Sequence, residues 1–143
     1  MRRRITVYHP PNSPPELESF FAALDERLCV KLLKQIYRLT QIPVCELKEP
    51  HFKHFSIEKY GRLYELRERN KILVRVIFTM TDRDIILLTG FIKRRPRDTM
   101  RALETALGML ADLREHPQYV SDFVPQNIWQ KNLQKGGRSA AEY

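Results

Sequence analysis

The sequence predicts an α+β protein: a small antiparallel sheet with two N-terminal helices and one C-terminal helix on one face. Three observations carry that reading. Between Leu63 and Arg97 the chain runs through three successive strand-like stretches, with cations recurring along and between them. Apolar residues recur every third or fourth position from Leu17 to Leu39, and again from Met100 to Leu113, as on the buried side of helices. With 143 residues, the chain has the length of one domain able to bury a core.

Ile5–His9 is short, β-branched and aromatic, and predicts a first strand, which the run Pro10, Pro11, Asn12, Ser13, Pro14, Pro15 ends. Ser13 before Pro14, with Glu16 close behind, predicts a capped helix start. Leu17, Phe21, Leu24, Leu28, Leu32, Ile36 and Leu39 then form a stripe of about seven turns, with a break near Asp25 dividing it into two helices. Gln41 to Tyr60 is a connector rich in Pro, Lys and His, and Gly61 precedes the sheet.

In Leu63–Arg69, Tyr64 and Leu66 alternate with Glu65 and Arg67, the period of a half-buried strand. In Ile72–Met80 the even positions are all apolar, so Arg75 lies mid-strand on the other face, an uncommon place for an arginine without a partner. Thr81-Asp82-Arg83-Asp84 makes a turn, and the nearly continuous apolar run Ile85–Ile92 predicts a central strand. Lys93, Arg94 and Arg95 lead through Pro96 into the last helix, which Pro117 closes. The domain is expected over 1–120, followed by a polar tail over 121–143 that frays and carries Trp129. With the helices stacked on one side, the opposite side is expected to be open and to gather Glu65, Arg67, Arg69 and Arg75.

The net charge is +8 with a pI near 9.7. The last 23 residues hold Lys131, Lys135 and Arg138 against Asp122 and Glu142, so the folded body carries +7 of it. A basic body implies a polyanionic or acidic partner: nucleic acid, anionic membrane or acidic protein. No apolar run approaches the ~20 residues of a membrane span, and the stretch after Met1-Arg-Arg-Arg is too short and polar for a signal peptide. The expectation is a cytoplasmic protein with no membrane partner. Cys29 and Cys45 lack the spacing of a disulfide or redox motif and read as buried or inert.

Cations fixed on a sheet face suit phosphate chemistry. RNA cleavage needs the 2′-hydroxyl deprotonated, the pentacoordinate phosphate stabilised and the leaving oxygen protonated, and preorganised charge supplies the largest share. The planar fork of arginine grips two phosphate oxygens at once, and Tyr64, Glu65, His51 and His54 lie near enough in sequence to move protons. A plainer reading stands beside this one: the face is solvated, and Arg67 pairs with Glu65 or Glu68. His51-x-x-His54 has no third ligand at metal spacing, so no metal or cofactor is expected. The glycines form no phosphate loop, and no Ser-His-Asp or Cys-His arrangement is visible.

The motifs HFKHFS, GRLYELR, VRVIF and IILLTGFIKRRPRDTMRALETAL, spread from Glu49 to Leu113, resemble the phage-derived, HigB-like branch of the RelE/ParE toxin superfamily. The resemblance implies a RelE-like fold and a ribosome-dependent mRNA endonuclease, metal-independent and without a cofactor. The chain would be the toxin of a type II toxin–antitoxin pair, with mRNA on the ribosome as substrate and a helix-turn-helix antitoxin as partner. It further implies that Arg67, Arg75 and Lys93 stabilise the phosphate and that His54 or Glu65 shuttles protons. Lys53 and Arg94, with Arg69 and Arg95 beside them, would contact RNA. Three departures stand out. Thr89 replaces a histidine of many relatives, Arg94-Arg95 replaces a Thr-rich stretch that caps the last helix, and the tail is longer. The alternative within the same fold is a non-enzymatic binder, either gyrase-directed or an inactive phage or mobile-element remnant.

Overall fold

The computed structural model describes residues 3–43 and 51–124. In chain order the elements are β1 (Arg4–Tyr8), α1 (Glu16–Ala22), α2 (Glu26–Leu39), β2 (Phe52–His54), a 3-10 turn (Glu58–Tyr60), β3 (Tyr64–Asn70), β4 (Ile72–Met80), β5 (Asp84–Lys93), α3 (Pro96–Glu115) and β6 (Val120–Asp122). The strands form one sheet in the order β2-β3-β4-β5-β1-β6.

The sheet is mixed, which corrects the antiparallel expectation. β1 lies parallel to β5, Ile5 beside Ile85 and Val7 beside Leu87, while the other neighbours are antiparallel. Two strands were not legible in the sequence. β2 spans only three residues inside the connector, and β6 takes Val120–Asp122 back along β1. The expected boundary at 120 therefore falls inside a strand. Phe123 just beyond is 8% exposed and meets the Phe21 ring edge-on, with centroids 5.8 Å apart. Cys45, Trp129 and the rest of the tail from 125 onwards lie outside the described residues.

Helix boundaries follow local chemistry. The Asp25 carboxylate accepts the backbone N–H groups of Arg27 and Leu28, at 3.1 and 3.3 Å, and so separates α1 from α2. α1 begins at Glu16 rather than at Ser13, because Pro15 remains extended and no side chain caps it. Arg95 at the N-cap of α3 makes no side-chain cap bond, so the usual cap is missing as expected, and a residue inside the helix serves instead. Asp98 reaches back from its first turn and accepts the N–H groups of Arg94 and Arg95, at 2.8 and 2.9 Å. Those two donors hold its carboxyl below the ordinary value.

The helices cover both faces of the sheet, not one. Leu17, Phe21, Leu28, Leu32 and Ile36 of α1 and α2 pack with Val74, Val76 and Phe78 of β4. Ala102, Leu103, Ala106 and Leu110 of α3 pack with Ile77 and Leu88. Successive residues of a strand point to opposite sides, so Val76 and Ile77 assign the two helical layers to opposite faces. The physical reason is the apolar run of β5: Ile86 and Leu88 on its second side need cover, and α3 supplies it. Cys29 is fully buried in the α2 layer, where burial pushes its thiol up to about 11. No helix among the described residues is long and apolar enough to cross a membrane.

One irregularity decides the site. The β4–β5 ladder pairs Ile77 with Thr89 but Phe78 with Leu87, passing over Leu88. Ile85 and Leu87 consequently pack into the α1–α2 layer, whereas Thr89, Phe91 and Lys93 share the α3 face with Ile77, Arg75 and Leu73. Gly90 turns the other way, under α1. A Cβ placed there would lie 2.6 Å from the Phe20 ring and 3.1 Å from Leu17. Gly90→Ala should therefore lower the unfolding free energy by about 1–3 kcal/mol through overpacking, read as an earlier urea midpoint at an unchanged slope.

Candidate functional site

The α3 face of the sheet carries the cations. Direct cross-strand partners share a face, so the ladders place the side chains in rows. Arg67, Arg75 and Phe91 form one row, Arg69, Leu73 and Lys93 the next, and Lys53, Glu65, Ile77 and Thr89 the row on the other side. Packing of α3 over Ile77 and Leu88 leaves the arginine rows only partly covered: Arg67, Phe91 and Lys93 are half-buried and Arg69 is exposed.

At the centre stands Glu65, 1% exposed. Its Oε1 accepts the Nε–H of Arg67 at 2.7 Å and lies 3.6 Å from the Nε of Arg75. Its Oε2 is buried without a hydrogen-bond partner, as is the Nε of Arg75. Arg75 is 9% exposed and donates through Nη1 to the Val74 carbonyl at 3.2 Å. Burial draws its guanidinium below the usual value; Glu65 opposes that shift, while Arg67 and Arg69 add to it.

Two guanidinium groups directly opposite each other on adjacent strands repel, and one carboxylate is held between them. Among the described residues, Arg67, Arg75 and Glu65 balance to one net positive charge, with Lys53, Arg69 and Lys93 in the flanking rows. Such a place favours an anion able to accept from both forks, as a phosphate is. Among the described residues no group of three or more His, Cys, Asp or Glu side chains could hold a metal ion.

Residues 19–111 match the family described as Phage derived protein Gp49-like (DUF891). The chain belongs to this family. The matched span contains every row just described. No curated protein and no solved structure matches the chain. Membership is compatible with a toxin of a toxin–antitoxin system.

In this Gp49-like protein the remaining predicted site residues divide. Lys53 joins the face of the Arg67–Glu65–Arg75 cluster, called the clamp below for its two opposed guanidinium groups, its Nζ 5.4 Å from the centroid of the Phe55 ring. Lys93 lies two strands from Arg69, beyond Leu73. Arg94 and Arg95 are exposed at the junction of β5 and α3. His54 is not brought to the clamp. It pairs with Tyr64, on the α1–α2 side, where its ring stacks on Tyr64 at 4.5 Å and its Nε2 bonds the Gly61 carbonyl at 2.6 Å. His51 lies 3.7 Å from Glu68.

Phe91, which the ladder sets beside Arg75, and Arg101, exposed in the first turns of α3, were not singled out in the sequence. Phe91 read as core within an apolar run, since nothing local reveals the shift at Leu88. Arg101 carried a usable signal: Asp98, Arg101, Ala102 and Thr105 recur at helical spacing and share one side of α3.

Proposed function

We propose that this Gp49-like protein is the toxin of a type II toxin–antitoxin pair, an endonuclease acting on mRNA at the ribosome. The observation that carries the reading is the opposed Arg67–Arg75 pair pinned by buried Glu65. A phosphodiester seated there would meet two preorganised forks where charge builds as the 2′-oxygen attacks. The O2′–P bond forms and the P–O5′ bond breaks, leaving a 2′,3′-cyclic phosphate and a 5′-hydroxyl. Water takes the 2′ proton and supplies the one needed by the 5′ oxygen. Glu65 acts as the positioning residue that aims both arginines. The antitoxin partner, of helix-turn-helix type, would cover the basic face with acidic and apolar residues.

One observation favours a second reading, a nucleic-acid binder that does not cut. All four histidines make their contacts away from the clamp: His9 with Ser121, His51 with Glu68, His54 with Gly61 and His116 with Tyr119. Induced expression followed by primer extension separates the two. The endonuclease should stop growth and create new 5′ ends in translated mRNA within minutes of induction. DNA-damage signalling with intact mRNA would establish the binder instead, and unimpaired growth would mark an inactive remnant.

A further inference from the structure

Beside the clamp lies a groove of about 440 Å³ between the end of β5 and the first turns of α3, within the range of small-ligand sites. Phe91 and Thr89 line it from the sheet, Arg101 and Thr105 from the helix, and Arg94 and Arg95 from the junction. Phe91 is the direct cross-strand partner of Arg75, so groove and clamp are adjacent on one face. The ring packs on the α3 cluster and also borders the cavity. Three arginines face one carboxylate there, and that carboxylate, Asp98, already accepts from two backbone N–H groups.

We infer that this groove is a nucleotide subsite: a base flanking the clamped phosphate stacks on Phe91, and Arg94, Arg95 and Arg101 hold the neighbouring phosphates. An aromatic ring bordered by guanidinium groups is the pattern by which single strands are held without sequence readout. Thr89 and Thr105 add hydroxyls that can bond the edge of the base. Thr89 keeps a small side chain beside the ring in the groove, leaving room for the base. The inference rests on the RNA reading above but not on cleavage.

The test uses the full chain and a 2′-O-methyl RNA oligonucleotide that cannot be cleaved, carrying 2-aminopurine as the stacking reporter. Wild-type protein should quench the fluorescence at one position along the strand. Phe91→Leu should abolish the quenching and weaken binding by roughly 5- to 150-fold, the worth of one stacked base, with an unchanged circular dichroism spectrum. Arg101→Ala should keep the quenching and reduce the slope of log affinity against log salt by about 0.7. Equal quenching by Phe91→Leu overturns the inference, and so does binding of polyglutamate in preference to the oligonucleotide. If Phe91-dependent quenching appears without mRNA cleavage on induction, the endonuclease reading fails and the subsite stands. If induction cleaves mRNA while Phe91→Leu quenches as wild type, the subsite alone is lost.

Discussion

Glu65→Ala should destabilise the protein by about 2–4 kcal/mol. Removing one partner of a buried ion pair costs about 3–5 kcal/mol, because the charge left behind is uncompensated. Here two guanidinium groups would be left facing each other across the β3–β4 ladder, Arg67↔Arg75. The figure is set below the fully buried case because the Arg67 side chain is 22% exposed and water screens part of its charge. Glu65→Gln keeps an oxygen acceptor and should lose less. Added polyphosphate should restore part of the deficit in both variants, since a ligand that binds only the folded state stabilises it. Urea unfolding reads all three, and a Glu65→Ala midpoint equal to wild type would show that Glu65 does not hold the clamp together.

Arg75→Ala should relieve growth arrest, with cleavage falling on the order of 10²–10³-fold, the usual cost of removing one preorganised charge donor. Folding could confuse that outcome, so Arg75→Met is the sharper variant. Burying Arg75 costs desolvation, which lowers its guanidinium value, and Arg75→Met removes both that cost and the repulsion from Arg67 while Glu65 keeps its 2.7 Å bond to Arg67. Arg75→Met should therefore unfold at the same urea concentration as wild type or a higher one, and yet be harmless when expressed. Arrest by the folded methionine variant would remove Arg75 from the mechanism.

The parts of this fold that repeat were legible. β4 occupies Ile72–Met80 as its alternation predicts, α2 ends at Leu39, and α3 runs from Pro96 almost to Pro117. Arg75 could be singled out from parity alone, and the ladder places it across from Arg67. What stayed hidden depends on pairing between distant segments. A three-residue strand such as Phe52–His54 has too few positions to display a period, so neither β2 nor the turning of His54 away from Lys53 could be read. The parallel seat of β1 needs a partner some 80 residues away, Arg4 beside Asp84. The face of Phe91 and Lys93 depends on passing over Leu88, a single residue inside an apolar run that looks uniform. Resemblance supplied Lys93 where spacing could not. Proximity in sequence and resemblance both pointed to His54, which the register sets on the face opposite Arg67 and Arg75.

The seat of β1 also has a consequence in time. Arg67 and Arg75 come together through a local hairpin whose tight connection has Lys71 at a φ of 66°, a contact of short range that closes quickly. β1 leaves the ribosome first, but its neighbours β5 and β6 are made last. A nascent chain can thus join its two arginines well before the sheet can close around β1, and closure of that long loop should limit the rate of folding.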